Sequence, residues 1–194
     1  MRQRLSSGVL LAWGTTNWTL LSAYCQGDQT CLNTMSASAP IGAQDSGFVW
    51  GLKLGYQLEE NFGIEATYRR FHETIINFGR WSFYDALPPD TPSQIASSVY
   101  AYSLMGKFFA PISSSHFYVY ASAGPTVTHR KDILTDRSHV NLSFGLGLGR
   151  IFFDSLQAEI AFFYATGFDH STITPAESYT PFLLSLGIEL SYRF

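Results

Sequence analysis

Apolar and polar side chains alternate along several segments of this chain, most regularly at its C-terminal end. Between residues 182 and 194, every even-numbered residue is apolar or aromatic, whereas the odd-numbered residues are mostly small or charged. Successive side chains of a β-strand point to opposite faces, so this period of two predicts a strand with one wholly apolar face. That face carries Phe182, Leu184, Leu186, Ile188, Leu190, Tyr192 and Phe194.

The same alternation recurs upstream and predicts further strands. In Val140–Leu148, glycines and small polar residues occupy the positions between the apolar ones. Glycine at alternate positions suits the crowded inner wall of a narrow barrel. The other segments with this period are Phe48–Tyr56, Ile64–His72, Tyr100–Ala110 and Leu156–Phe168.

The segment Phe117–Val127 has an ambiguous pattern. Tyr118 and Tyr120 compete with their neighbours Phe117 and Val119 for the apolar face. Pro125 has no N–H to donate, so it predicts a bulge or a strand end at this point.

The connections between these segments alternate in length. Short ones are predicted at Glu59–Gly63, Pro111–Ser115 and Phe153–Ser155, and long ones at about 78–96, 129–138 and 169–178, with another before Phe48. Outer-membrane barrels have short periplasmic turns and longer extracellular loops, so the alternation indicates such a barrel.

The segments named above account for seven strands, whereas closure of a bacterial single-chain barrel requires an even number. The missing strand is predicted at Ser7–Asn17. Met1–Arg4, followed by an apolar stretch, also resembles the start of a secretory signal. We favour the strand, because a signal here would leave seven. Two interpretations therefore remain for residues 1–45: a first strand with a long loop, or part of an export signal.

Composition supports a membrane location. Hydrophobic residues make up 46%, aromatic residues 16% and charged residues only 14%, against about a quarter charged in typical soluble domains. No apolar run reaches the roughly 18 residues of a transmembrane helix candidate. The net charge of −3 argues against a general nucleic-acid-binding protein. The sequence therefore predicts an all-β fold: residues 1–194 as one antiparallel up-and-down transmembrane β-barrel of about eight strands.

Two segments and the C-terminus resemble a known family. Phe48–Asn61 (FVWGLKLGYQLEEN) and Gly145–Phe153 (GLGLGRIFF) are similar to the glycine- and aromatic-rich strands of the OmpA-like and OmpX-like eight-stranded outer-membrane barrels. The closing Ser191–Phe194 resembles the C-terminal strand of outer-membrane proteins. The resemblance implies an integral outer-membrane protein whose final strand is read by the barrel-assembly machinery. It bears on fold more than on activity.

The parity of the predicted strands places six charged residues in the lumen. An eight-stranded barrel is just wide enough inside for side chains to fill it, and unpaired charges there are costly. We therefore predict a balanced salt-bridge network that fills the barrel, with a narrow ion pathway as the alternative. Reversing Lys107 or Glu189 alone is expected to destabilise the barrel more than reversing both. The six residues are Lys53, Glu65, Arg69, Lys107, Glu159 and Glu189.

Candidate chemistry outside the lumen is sparse. Asp169–Ser171 contains a His and a Ser, the residue types of some lipid A-modifying barrels. The two are adjacent, however, and would point to opposite faces of a strand. We interpret the segment as a solvated loop, and predict no catalytic residue, cofactor or metal site.

A basic cluster, His129–Lys131, is predicted in an outer loop, with Arg70 and His72 near the rim. These cations either contact lipopolysaccharide phosphates or lie in plain solvated loops. Cys25 and Cys31 are either two separate thiols or a loop disulfide, which an oxidising exterior favours.

The function predicted from these features is structural or surface interaction, without enzymatic activity, through extracellular loops. The predicted partners are outer-membrane lipid and lipopolysaccharide, the barrel-assembly machinery and an extracellular ligand, with no nucleic acid. The alternatives are a small porin-like channel and, less favoured, a lipid A-modifying enzyme.

Overall fold

The computed structural model describes residues 4–17, 40–78, 94–112, 116–132, 136–153, 155–167 and 182–194. No helix among these residues is long and apolar enough to cross a membrane. The strands are β1 (Arg4–Thr15), β2 (Pro40–Gln44), β3 (Ser46–Gln57), β4 (Phe62–Arg70), β5 (Thr74–Phe78), β6 (Gln94–Pro111), β7 (Phe117–Lys131), β8 (Asp136–Phe152), β9 (Leu156–Ala165) and β10 (Leu183–Arg193).

Eight of these strands form a closed antiparallel ring in the order β1, β3, β4, β6, β7, β8, β9, β10. The ring closes where β1 pairs with β10, from Ser6 opposite Arg193 to Thr15 opposite Leu184. On its other edge β1 pairs with β3. The prediction of an eight-stranded up-and-down barrel is confirmed, and the strand predicted at Ser7–Asn17 is β1.

The two remaining strands extend the barrel wall at one end. β2 pairs with β5, and β5 pairs with the start of β6, from Thr74 opposite Ser97 to Asn77 opposite Gln94. β2 leads into β3 and β5 follows β4, so the pair prolongs the β3–β4 hairpin beyond the ring. The longest connections lie at this end, which identifies it as the extracellular side.

Alternate residues of the barrel strands face outward and inward. In β3 the exposure alternates strictly from Ser46 to Leu54. The outward set is large and apolar, which is what contact with hydrocarbon requires. Aromatic residues occur towards both ends of the belt, as in interfacial girdles: Trp13, Phe48, Trp50 and Tyr102 near the extracellular end, and Phe62, Phe108, Phe117, Tyr192 and Phe194 near the periplasmic end.

The ambiguous strand β7 is resolved by its register with β8. Tyr118 and Tyr120 point inward and are buried, opposite Gly149 and Gly147 of β8. A Cβ at Gly147 would lie 2.4 Å from Tyr120 Cε1 and 2.5 Å from the carbonyl oxygen of Ile160. The glycines of β8 thus make room for the inward tyrosines of β7.

Two details of the sequence prediction are wrong, one at Pro125 and one in the β7–β8 connection. Pro125 causes neither a bulge nor a strand end, since β7 continues through it and the β6–β7 register is the same at Ser103–Thr126 and Gly106–Ala123. Pro125, which cannot donate, falls in the gap between these pairs. The long connection predicted at 129–138 is only residues 132–135, because polar residues continue the β7–β8 ladder to Lys131 opposite Asp136.

We expect Gly147→Ala to destabilise the barrel by about 1–3 kcal/mol, because the added methyl group overpacks the lumen against Tyr120 and the β9 backbone. Urea unfolding in lipid vesicles measures the effect. Gly42→Ala is the matched control, since a Cβ at Gly42 meets no atom within 4 Å. Equal stability of the two variants would contradict this account of the lumen.

Candidate functional site

The six charged residues assigned to the lumen all lie inside the barrel. They come from five strands, and each is at most 9% exposed. Strand alternation places them, because each occupies an inward position of its strand. Lys53 lies on β3, Glu65 and Arg69 on β4, Lys107 on β6, Glu159 on β9 and Glu189 on β10.

Glu159 is the centre of this lumen network. Its Oε1 lies 2.8 Å from Lys107 Nζ, and its Oε2 lies 2.5 Å from Lys53 Nζ. Tyr118 donates its hydroxyl to Oε1 at 2.8 Å, and Gln157 Nε2 donates to the same oxygen at 2.9 Å. A carboxylate with four donors is well compensated for its loss of water.

Glu189 faces Glu159 directly across the β9–β10 ladder. Two like charges at this position repel each other, so cations must reach them from elsewhere in the ring. Lys53 Nζ approaches Glu189 Oε2 to 2.9 Å, and Arg69 Nη2 approaches Oε1 to 3.2 Å. The repulsion is thereby offset from the opposite wall of the barrel.

Glu65 connects the two lysines and completes a continuous network. Its Oε2 lies 3.1 Å from Lys107 Nζ and 3.5 Å from Lys53 Nζ. Three cations therefore meet three carboxylates, and the network is neutral. Although one oxygen of each of these carboxylates lies within 4.8 Å of the others, the ammonium and guanidinium groups already supply the counter-charge.

Aromatic rings hold two of the cations in place. The Arg69 guanidinium carbon lies 4.1 Å from the centroid of the Phe163 ring, and Lys107 Nζ lies 3.7 Å from the Tyr120 centroid. Cation–π contacts of this kind are stronger when water is excluded. The network is therefore fixed by packing as well as by charge.

Sequence parity identified the charged members but not their partners. Lys107 binds Glu65 and Glu159, whereas Glu189 binds Lys53 and Arg69. The pair chosen from the sequence for charge reversal, Lys107 with Glu189, is therefore not in direct contact. The contribution of Tyr118 was missed as well, because the pattern around it is ambiguous.

Towards the extracellular end, apart from Arg130 near the rim, the described lumen is filled mostly by uncharged side chains. Thr126 Oγ1 lies 2.7 Å from the hydroxyl oxygens of both Ser103 and Ser143. An apolar layer, with each residue at most 3% exposed, adjoins both the lumen network, where Phe163 contacts Arg69, and this hydroxyl cluster, where Ala165 is the register partner of Ser143. It consists of Leu10, Val49, Phe71, Val99, Ala101, Met105, Phe163, Ala165 and Leu183.

The interior of the described barrel opens below the lumen network. A cavity of about 200 Å³ at the periplasmic end is lined by residues that include Phe109, Gln157 and Arg193, and reaches Glu65 and Lys107. Arg193 closes one side of it by donating to the Gln57 side chain. This periplasmic cavity therefore ends at the lumen network.

The prediction of a basic cluster in an outer loop is wrong. His129, Arg130 and Lys131 belong to β7, so they alternate between its faces. Arg130 is buried and donates to Ser97 Oγ at 3.1 Å and to Asp132 Oδ2 at 2.7 Å. A side chain held inside the rim is not available to lipopolysaccharide.

The remaining predicted residues that the structure describes lie apart from the lumen. From Leu184 to Phe194, the even-numbered residues of the last strand face outward, and Phe182 directly precedes β10. Arg70 and His72 are exposed at the extracellular end. Cys25, Cys31 and Asp169–Ser171 lie outside the described residues.

Comparison with known proteins agrees with this architecture. A family model for the outer membrane protein beta-barrel domain matches residues 11–194. The chain is similar to the N-terminal β-barrel domain of Pseudomonas aeruginosa OprF, at 11% identity and a TM-score of 0.55, with 99% of this chain and 97% of that chain covered. Comparison with curated protein sequences gives no significant match.

Two further solved structures are similar in the same way. Neisserial surface protein A (NspA) matches at 11% identity and a TM-score of 0.55, covering 99% of this chain and 96% of that one. Ail, the attachment invasion locus protein of Yersinia pestis, matches at 13% identity and a TM-score of 0.51, with 100% of both chains covered. At such identities the likeness shows the fold alone.

We expect Glu159→Gln to cost about 3–5 kcal/mol of stability, because it leaves Lys53 and Lys107 undercompensated in a buried site. Urea unfolding in lipid vesicles measures it. Adding Lys107→Gln should cost less than the sum of the two single changes. Asp136→Asn, an exposed change of the same chemistry, should cost less than about 1 kcal/mol. Additive costs for Glu159 and Lys107 would refute the pairing.

We also expect no steady single-channel conductance from the purified protein in planar lipid bilayers, because the described lumen is packed by the network and the apolar layer above it. A steady conductance that changes with Lys107→Gln would show instead that ions pass these residues.

Proposed function

Because this chain belongs to the outer membrane protein beta-barrel domain family, we propose that it acts at the cell surface, with the barrel as a rigid scaffold for extracellular binding segments. In this proposal residues 1–194 act as a single barrel domain of the outer membrane, without enzymatic activity. The observation that carries it is the extension of the sheet beyond the ring on the extracellular side.

This extracellular extension is longer than membrane crossing requires. A spanning strand needs about 9–11 residues, whereas β6, β7 and β8 have 18, 15 and 17. The first residues of β6 pair with β5 instead of with the ring strand β4. In this proposal the paired strands β2, β5 and the start of β6 extend beyond the bilayer. The segments 18–39 and 79–93 connect to these strands in the chain.

The packed lumen also supports this proposal. A barrel filled by ion pairs and apolar side chains is a stiff support, and binding residues occur disproportionately on loops held by rigid scaffolds. The ends and the outer surface are then the parts available for function.

Anionic molecules are the partners that the extracellular rim supports best. Arg70 is exposed there, 5.5 Å from the Tyr100 ring centroid, and Lys131 and His129 face outward nearby. Asp136 offsets part of this charge, since it lies 3.3 Å from His129 Nε2 and 3.9 Å from Lys131 Nζ. We therefore propose that Arg70 in particular binds lipopolysaccharide phosphates.

The relatives suggest a probe for the extracellular ligand. The structure of Ail was determined in complex with the heparin analogue sucrose octasulfate, and NspA is a surface protein by name. A sulfated polysaccharide is therefore a reasonable first probe for this chain.

The C-terminal strand supports one further partner. β10 carries the outward apolar face, closes the ring with β1 and leads to Phe194, which is 68% exposed. An accessible aromatic residue directly after the closing strand fits recognition by the barrel-assembly machinery.

We expect cells that carry the protein to bind immobilised heparin, and we expect this binding to fall at least severalfold when residues 18–39 and 79–93 are replaced by short Gly-Ser connections. The physical reason is that the scaffold remains while the binding segments are removed. A shift in gel migration between unboiled and boiled samples confirms that the variant barrel is folded.

The matched control changes the periplasmic side instead. Glu60→Ala with Asn61→Ala alters an exposed turn and should leave heparin binding unchanged. Undiminished binding by the folded loop-replaced variant would rule out the proposed role of these segments.

A further inference from the structure

The outward surface of the barrel carries very few charges. Among outward positions of the described barrel strands, charged residues occur only near the strand ends: Arg70, Lys131 and Asp136 at the extracellular end, and Arg150 at the periplasmic end. The belt between them is free of charge, as hydrocarbon requires. Arg150 is thus the single cation on the outward periplasmic rim of these strands.

Arg150 lies between two aromatic residues. Phe117 is its register partner on β7, and Phe152 is the next outward residue on β8. The guanidinium carbon is 4.9 Å from the Phe117 ring centroid and 4.8 Å from that of Phe152. Cation–π contacts on this side orient the planar group and limit its rotamers.

The charge of Arg150 has no counter-charge among the described residues. No carboxylate of the described residues forms an ion pair with it, whereas the charges of the lumen network are all matched. An ionised side chain at the edge of the hydrocarbon region is costly unless a counter-charge reaches it. At this depth, lipid headgroups are the abundant source of negative charge.

We propose that Arg150, Phe117 and Phe152 form a binding site for the phosphate group of a glycerophospholipid in the periplasm-facing leaflet. The guanidinium fork donates two parallel N–H bonds to phosphate oxygens, a geometry that an ammonium group does not reproduce. The two phenyl rings lie beside the headgroup, at the level where aromatic residues favour the membrane interface.

The position on the wall identifies a lipid as the source of the phosphate. The outward neighbours towards the membrane centre are Val119 on β7 and Leu148 on β8, both more than 40% exposed. Acyl chains that descend from a phosphate at Arg150 lie along these apolar side chains. Free inorganic phosphate gains nothing from them. This site is separate from the extracellular surface assigned above.

Native mass spectrometry of the detergent-purified full chain tests the site. We expect wild-type protein to retain phosphatidylglycerol and phosphatidylethanolamine at least severalfold better than diacylglycerol, which lacks the phosphate. Arg150→Gln should abolish this preference, and Arg150→Lys should retain only part of it, since it keeps the charge but loses the planar fork.

Arg137→Gln is the matched control, because it removes the same charge from an exposed position at the other end of β8. It should retain phospholipid as the wild type does. Equal retention by wild type and Arg150→Gln would overturn the proposal, as would equal losses in Arg150→Gln and Arg137→Gln or equal retention of diacylglycerol. If Arg150→Gln does not fold, as judged by gel migration before and after boiling, Arg150→Lys with undiminished preference overturns it.

Discussion

Pairing of the backbone in a closed ring is the constraint on which the rest of this structure depends. In hydrocarbon each unpaired N–H or C=O costs several kcal/mol, so a sheet that spans a membrane cannot keep an open edge. The β1–β10 ladder removes that edge by joining the first strand to the last. Once the ring is closed, each side chain has only two directions, towards lipid or towards the lumen, and the alternation of the sequence follows.

The width of an eight-stranded ring then determines what the lumen holds. There is room for side chains but not for a broad water column, so inward charges must neutralise each other. Glu159 and Glu189 face each other across adjacent strands and are stable there only because Lys53, Lys107 and Arg69 reach them from the opposite wall. Inward tyrosines fit because glycines stand opposite them on β8.

A filled interior leaves function to the ends and the outer surface. The two ends differ: the extracellular end carries a paired extension of the sheet, and the periplasmic end has short turns, a cavity and the outward cation Arg150. Such asymmetry matches the two environments that an outer-membrane protein meets. The same packing that argues against a channel gives the extracellular segments a stiff base.

The sequence by itself determined the fold class, the faces of most strands and the six charged residues of the lumen network, because a period of two is a local property that each strand carries alone. Only the tertiary structure decided which charge meets which. Lys53 and Glu159 are 106 residues apart in the chain, and their contact depends on strand order and stagger around the ring. For the same reason, only the neighbouring strands decided which side chains of β7 face inward. Tyr118 and Tyr120 point inward where β8 has glycines, and Arg130 lies inside the rim because it binds Ser97 and Asp132.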